Sequence, residues 1–335
     1  MTVSPPGVRT RLLDVAPPEP PRTPPAAALR ALVAAGAADL PLPGGGATLH
    51  RWADLARWGR TDLSLARLAE GHADALAVLA DAGCTPEPGA TYGVWAARSG
   101  GTGAILDGGP GAWRLHGRVR FCSGAHDLDR ALVVALTADG SRIADVPLRR
   151  PGVRPVEGTW ETVGMAGSDS ADVDLDDVPV PDDALLGGPG WYTARPGFWH
   201  GGAGVAAVWL GGAAGVVDDL RAGLAAGDPD PHRLALLGEL HACVAAAEAL
   251  LVTTAAAVDD DPTDPHRDAA WTVRAAVESA CRRVLDVAPR LAGVAALTRG
   301  GPLAGRLADL GVYVRQHHGE RDLAALGVAV LDGAR

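Results

Sequence analysis

The sequence predicts an α+β multidomain fold: an N-terminal helical domain, a small barrel-like β domain in the middle, and a C-terminal four-helix bundle. Three observations carry this. Apolar residues recur at three- and four-residue steps before residue 83, short alternating segments cut by Gly, Asp and Pro fill residues 91 to 180, and long helical periodicity returns after residue 190. The expected boundaries are 1–25 for a proline-rich arm, 26–88 for the first helical domain, 89–186 for the β domain and 187–335 for the bundle.

In the arm, PPGV and APPEPPRTPP remove backbone donors and favour an extended, mobile or surface-lying chain. Leu29, Leu32 and Val33, then Leu65, Leu68, His72, Leu76 and Leu79, predict two or three helices up to about Gly83. Strands are expected at Thr91–Val94, Ala104–Leu106, Trp113–Phe121, Ala131–Leu136 and Val173–Val180, with a hairpin turn at Ala138–Gly140. After the Gly187–Gly190 run, helices are expected near Gly204–Leu224, Leu234–Val258, Asp268–Val287 and Leu303–Leu331. Their many glycines, as in WLGGAAG at Trp209–Gly215, each cost about 1 kcal/mol of helix propensity and point to close helix packing.

A chain of 335 residues, 47% hydrophobic and 21% charged, can bury a core in two or three domains. Its 30 cationic side chains are all arginine, and a net charge of −10 argues against nucleic acid or an anionic membrane as partner. No uninterrupted apolar run approaches the roughly 20 residues of a membrane span, and a cytoplasmic location is the expectation. Cys84, Cys122, Cys243 and Cys281 lie far apart without a CxxC pair, so no metal site or disulfide framework is indicated.

Several segments, in the order helical, β, helical, resemble the acyl-CoA dehydrogenase family over nearly the whole chain after residue 25. WRLHGRVRFCSGAHDLDRALVVA, Trp113–Ala135, resembles the strand pair in which an aromatic residue and a Ser/Thr face the flavin, and Phe121 and Ser123 hold those positions. Two residues apart on one strand face, a ring would cover the isoalloxazine and a hydroxyl would bond its polar edge; a core Phe and a turn Ser is the alternative. ETVGMAGSDSADVDLDDVPVPDDALLG, Glu161–Gly187, resembles the segment closing the family's β domain. ARPGFWHGGAGVAAVWLGGAAGVVDDL, Ala194–Leu220, is similar to the first helix of its C-terminal domain, with Arg195 and Pro196 matching an Arg-Pro pair beside the flavin.

The resemblance implies FAD, held by Trp95, Ser99, Thr102, Phe121, Ser123 and Arg195, a small acyl substrate, and a homo-oligomer or a heteromer with a related subunit. Departures are equally specific. Where the family carries Thr-Glu-Pro-x-x-Gly-Ser-Asp, this chain reads Val94-Trp95-Ala96-Ala97-Arg98-Ser99-Gly100-Gly101-Thr102, in which SGGTG either meets a pyrophosphate or simply turns, and Trp95 crowds a ring or fills its site. The dinucleotide-binding Arg-x-x-Phe-Gly is missing from residues 221–233, and Ala304 stands about where the catalytic glutamate belongs, the alternative position falling near Ala194. His317 and His318 are the candidate replacements, against a solvated helix end. Three functions remain open: an FAD oxidoreductase on an acyl thioester or small carbonyl compound, a flavin-dependent oxygenase that needs no glutamate, and a non-catalytic subunit of a heteromer.

Overall fold

The structure, a computed structural model, describes residues 11–299 and 301–333. The first ten residues of the proline-rich arm lie outside the described residues. The part of the arm that is described lies on the surface and is pinned: Leu12 is buried, the Leu13 N–H donates to the buried Glu248 carboxylate at 2.9 Å, and Arg60 donates to the Leu13 carbonyl at 3.0 Å.

Helices α1 (Pro25–Ala34), α2 (Thr48–Thr61) and α3 (Leu63–Asp81) come first. α1 starts on a proline at its first turn, where the missing N–H is harmless. Asp62 caps α3, its side chain accepting the Leu65 N–H at 2.8 Å.

Eight strands follow, β1 (Tyr92–Trp95), β2 (Gly103–Asp107), β3 (Trp113–Cys122), β4 (Arg130–Thr137), β5 (Gly140–Pro147), β6 (Val153–Val156), β7 (Ala171–Val180) and β8 (Leu185–Leu186). They form one sheet in the order β6-β7-β3-β2-β4-β5-β8, with β1 beside β4. The β4–β5 hairpin turns at Ala138–Gly140 as expected, with Thr137 opposite Gly140. The pairing is antiparallel except at β4, which takes both β1 and β2 in parallel. Strands β5, β6 and β8 carry weaker alternation and were not separately expected.

The C-terminal part contains the short α4 (Trp191–Ala194), the long α5 (Pro196–Ala225), α6 (Pro231–Asp260) and α7 (Arg267–Ala292), then α8 (Val294–Thr298), α9 (Pro302–Tyr313) and α10 (Glu320–Gly333). The last expected helix is therefore two: a 3-10 turn at Val314–Gln316 and Gly319, at φ +56°, break it on either side of His317. α2 and α5 touch backbone to backbone, and a Cβ built on Gly211 would lie 2.0 Å from the Ala56 carbonyl oxygen. Close packing is thus the reason for this glycine. α5 and α6 are each long and apolar enough to span a membrane by length and composition, which differs from the count of uninterrupted apolar residues. Of α5's most apolar stretch 83% is buried, as in a core helix, whereas only 28% of α6's is, so α6 turns an apolar face outward.

One continuous core joins helices and sheet, running through Trp52, Leu115, Val173 and Trp209. A second cluster, around Tyr92, Leu132 and Ile143, packs the C-terminal half of α3 on β1. These contacts press α3 against the ends of β1 and β3.

Candidate functional site

Where α3 meets β1 and the end of β3, Arg67, Leu68, Gly71, Gly93, Val94, Trp95, Ser123 and Leu128 surround a space too tight for a water molecule. Ser123 is buried, and its hydroxyl accepts from Arg67 Nε at 3.0 Å and meets the Ser170 hydroxyl at 2.8 Å, which in turn meets Ser168 at 2.9 Å. The Trp95 indole is 2% exposed and donates Nε1–H to the Ser123 carbonyl oxygen at 3.2 Å.

Arg67 connects this space to a buried polar cluster. Its guanidinium pairs with Glu70, one turn further along α3, and Tyr313 from α9 donates its hydroxyl to the same Glu70 oxygen at 3.2 Å. Burial raises the Glu70 carboxyl to about 7; Arg67 opposes the rise and Asp74 adds to it. Burial works against the charge on Arg67, but Glu70, Tyr313 and Asp74 together outweigh it and hold the guanidinium more firmly protonated than usual. Burial above all, then Glu70, pushes the Tyr313 phenol far up, so Tyr313 is a donor at any working pH.

Beyond Tyr313 stands Trp209 of α5, which packs edge-on against both Tyr313 and His317 at centroid distances of 6.4 and 6.5 Å. Arg274 of α7 lies 4.8 Å over the Trp209 ring and donates to the Gly202 carbonyl at 2.6 Å. The Trp209 Nε1–H is buried and has no hydrogen-bond partner among the described residues. His317 is 6% exposed; burial, then Arg274, lowers its pKa below the ordinary 6.5, so it is neutral at pH 7. Its Nδ1 accepts the Gly319 N–H at 3.2 Å, which leaves its proton on Nε2.

Of the two adjacent histidines, then, only His317 enters the cluster. His318 is exposed and caps α10 through Asp322, with Nδ1 3.2 Å from a carboxylate oxygen, so the solvated helix end describes it correctly. Phe121 does not share a face with Ser123: the β3–β7 register shifts between Val119 and Cys122, Phe121 takes φ +57°, and its ring is 46% exposed under the Arg120 guanidinium. The two-residue rule does not carry over because the bulge falls at Phe121, between Val119 and Cys122, and Ser123 lies past the last residue of β3. Ser99 and Thr102 close a turn on each other, Thr102 Oγ1 donating to the Ser99 carbonyl at 2.7 Å. Arg195 pairs with Asp81 at 2.7 Å and lies over Tyr192. Hence Trp95 and Ser123 come together, while Phe121, Ser99, Thr102 and Arg195 stand apart from them.

A flavin fits part of this arrangement. Gly71 and Gly93 keep side chains out of the space beside Ser123, whose hydroxyl and neighbouring Arg67 suit a polar ring edge. Gly100 and Gly101, at φ +61° and +79°, leave an open loop where backbone N–H groups suit a phosphate. With the Trp95 indole where it stands, the space does not hold the tricyclic ring. Among the described residues no group of three His, Cys, Asp or Glu is placed to hold a metal ion.

Arg67, Glu70, Tyr313 and Arg274 were not singled out by sequence. The signal available was the run Arg67, Glu70, Asp74, three charges at helical spacing on the mostly apolar α3.

No protein-family profile matches the chain. A dibenzothiophene monooxygenase of Rhodococcus erythropolis is 34% identical over 89 residues, a match spanning 25% of this chain and only 21% of that relative. Among solved structures, TdsC from Paenibacillus sp. A11-2, in complex with FMN and indole, superposes with a TM-score of 0.74 at 21% identity, over 92% of this chain and 95% of that one. Butyryl-CoA dehydrogenase from Megasphaera elsdenii superposes with a TM-score of 0.79 at 18% identity, covering 90% and 89%. The fold is that of the acyl-CoA dehydrogenases, shared by dehydrogenases and monooxygenases alike.

Proposed function

We propose that this chain is a flavin-dependent oxidoreductase of the monooxygenase type, acting on a small organic molecule. The observation that carries it is His317: the C-terminal segment delivers a neutral imidazole to the buried cluster, and Ala304 of α9 supplies no carboxylate. Reduced flavin activates oxygen by itself, so such an enzyme does not depend on a base that removes an α-proton. Ser123 and Arg67 would bond the flavin's polar edge, the Gly100–Thr102 loop its phosphate, and His317 Nε2–H would donate to the substrate or an oxygen atom being transferred. FMN is favoured here over FAD, since the structure of the monooxygenase TdsC holds FMN and the dinucleotide motif is missing from residues 221–233.

The test supplies the protein with FMN, a flavin reductase, NADH and labelled oxygen, and offers aromatic heterocycles, organosulfur compounds and acyl-CoAs. Label in the product is the expected outcome. Oxidation of an acyl-CoA without label would instead make the chain a dehydrogenase.

A second reading, the non-catalytic subunit, has its own observation: Trp95 already fills the ring space. It implies a colourless protein that acquires a role only beside a related chain. The outward apolar face of α6 supports association with another copy or a related subunit in either reading.

A further inference from the structure

Where α2 gives way to α3, the arm, α5 and α9 enclose with them a cleft of about 210 Å³ that the candidate site does not use. Pro20, Leu63 and Pro302 give it apolar walls, and Thr61, Asp62, Arg306 and Asp309 give it polar ones. Pro302 and Gly305 are exposed, so the cleft opens to solvent. We propose that it binds a small primary ammonium compound with a single-ring body. The inference goes beyond the flavin reading and is independent of it, because none of these residues lines the space beside Ser123.

The polar wall is one of acceptors. Thr61 is 5% exposed and donates its one hydroxyl proton to the Arg57 carbonyl at 2.8 Å, so only oxygen lone pairs remain for a ligand. Asp62 takes the Leu65 N–H on Oδ1 at 2.8 Å and Asp309 takes the Met165 N–H on Oδ1 at 2.6 Å, which leaves Oδ2 of each carboxylate. The positive charge of Arg306 is already matched: Nε lies 3.0 Å from Asp219 Oδ2, and Nη1 donates to the Arg60 carbonyl at 2.8 Å. Burial raises the Asp309 carboxyl above its ordinary range; the Met165 N–H opposes the rise and Asp62 adds to it, so the two carboxylates repel across the cleft. An ammonium group offsets that repulsion, and its three N–H bonds are enough for Thr61, Asp62 and Asp309. Size limits the rest of the ligand. A cavity of about 150 Å³ takes up benzene, so this cleft has room for one ring and a short arm. Gly305 keeps the α9 side open, since a Cβ there would meet nothing within 4 Å.

Titration calorimetry of the whole protein at neutral pH tests this, with benzylamine as the probe and benzyl alcohol and benzoate as its neutral and anionic counterparts. Native protein is compared with Asp309→Asn and Gly305→Leu. Saturable binding of benzylamine is expected, with neither counterpart binding as well. Asp309→Asn keeps an acceptor for the Met165 N–H but loses the charge, and should bind benzylamine about ten- to a hundredfold more weakly. Gly305→Leu places atoms in the cleft without meeting backbone, and should abolish binding while leaving the unfolding midpoint at or above the native one. No saturable binding to the native protein, equal binding of benzyl alcohol or benzoate, or binding unchanged in Gly305→Leu would overturn the proposal. Should Asp309→Asn not fold, Gly305→Leu decides alone. Flavin uptake plays no part in the readout, so a failure of the flavin reading is told apart from a failure here.

Discussion

The Trp95 indole N–H donates to the Ser123 carbonyl oxygen at 3.2 Å, tying β1 to the end of β3 and closing the space between them and α3. One such bond is worth about 1 kcal/mol net, so most of what holds the indole in place is burial. Trp95→Ala is therefore expected to lower the stability of the ligand-free protein by about 3–5 kcal/mol, the usual cost of a large buried side chain. Thermal or urea unfolding measures it. An unchanged midpoint would mean that the indole is not packed there.

The α2–α5 crossing makes an unusual sign prediction. Alanine is a better helix former than glycine by about 1 kcal/mol, yet a Cβ on Gly211 would sit 2.0 Å from the Ala56 carbonyl oxygen and one on Gly59 2.2 Å from the Val208 oxygen. Backbone cannot yield as a flexible side chain does. Gly211→Ala should destabilise by roughly 1–3 kcal/mol in spite of propensity, whereas the same change at Gly223, which meets nothing within 4 Å, should be neutral or stabilising. Unfolding of the pair separates the two effects.

His72 should set part of the acid sensitivity. Burial lowers its pKa from 6.5 to about 4, and its Nδ1 accepts the Tyr92 N–H at 3.2 Å. The unfolded chain therefore binds the proton more readily than the folded one. Stability from this group is complete above pH 6.5 and is lost as pH falls towards 4, by about 3 kcal/mol. His72→Gln should flatten the stability profile over that interval; a profile as steep as the native one would assign the loss to other groups.

Asp129 acts lower on the pH scale. Burial alone would raise its pKa, but hydrogen bonds from Arg30 and Thr91 overcome that and hold it at about 2. Its contribution of about 2 kcal/mol is present above the ordinary carboxyl pKa of 3.8 and disappears as pH falls through 2. Asp129→Asn should accordingly be destabilised at neutral pH, and the gap to the native protein should close on acidification.

The order of helices and strands was legible because periodicity is a local property: α3, β3, β4, β7 and the long α5, α6 and α7 lie where alternation or helical spacing places them. Ser123 and His317 were singled out through motifs of a few residues, and both are buried, Ser123 against Arg67 and His317 against Trp209. Phe121 is half exposed rather than beside the buried Ser123 because a bulge at its own position, invisible in the pattern VRFCS, breaks the alternation there. Glu70 was missed because its chemistry arises from Tyr313, 243 residues away, and from burial between helices that no local spacing reveals. Nor does the letter at position 95 tell whether the indole stacks on a ring or replaces it; only its bond to the Ser123 carbonyl shows that it closes the space.

The central claim is tested most directly by titrating the purified protein, native and Trp95→Ala, with FMN and with FAD while following the visible absorbance. The account predicts saturable binding of one flavin per chain, with FMN preferred and held more tightly once the indole is removed. Failure of both flavins to bind either protein would contradict it and leave the chain as the flavin-free subunit of a heteromer.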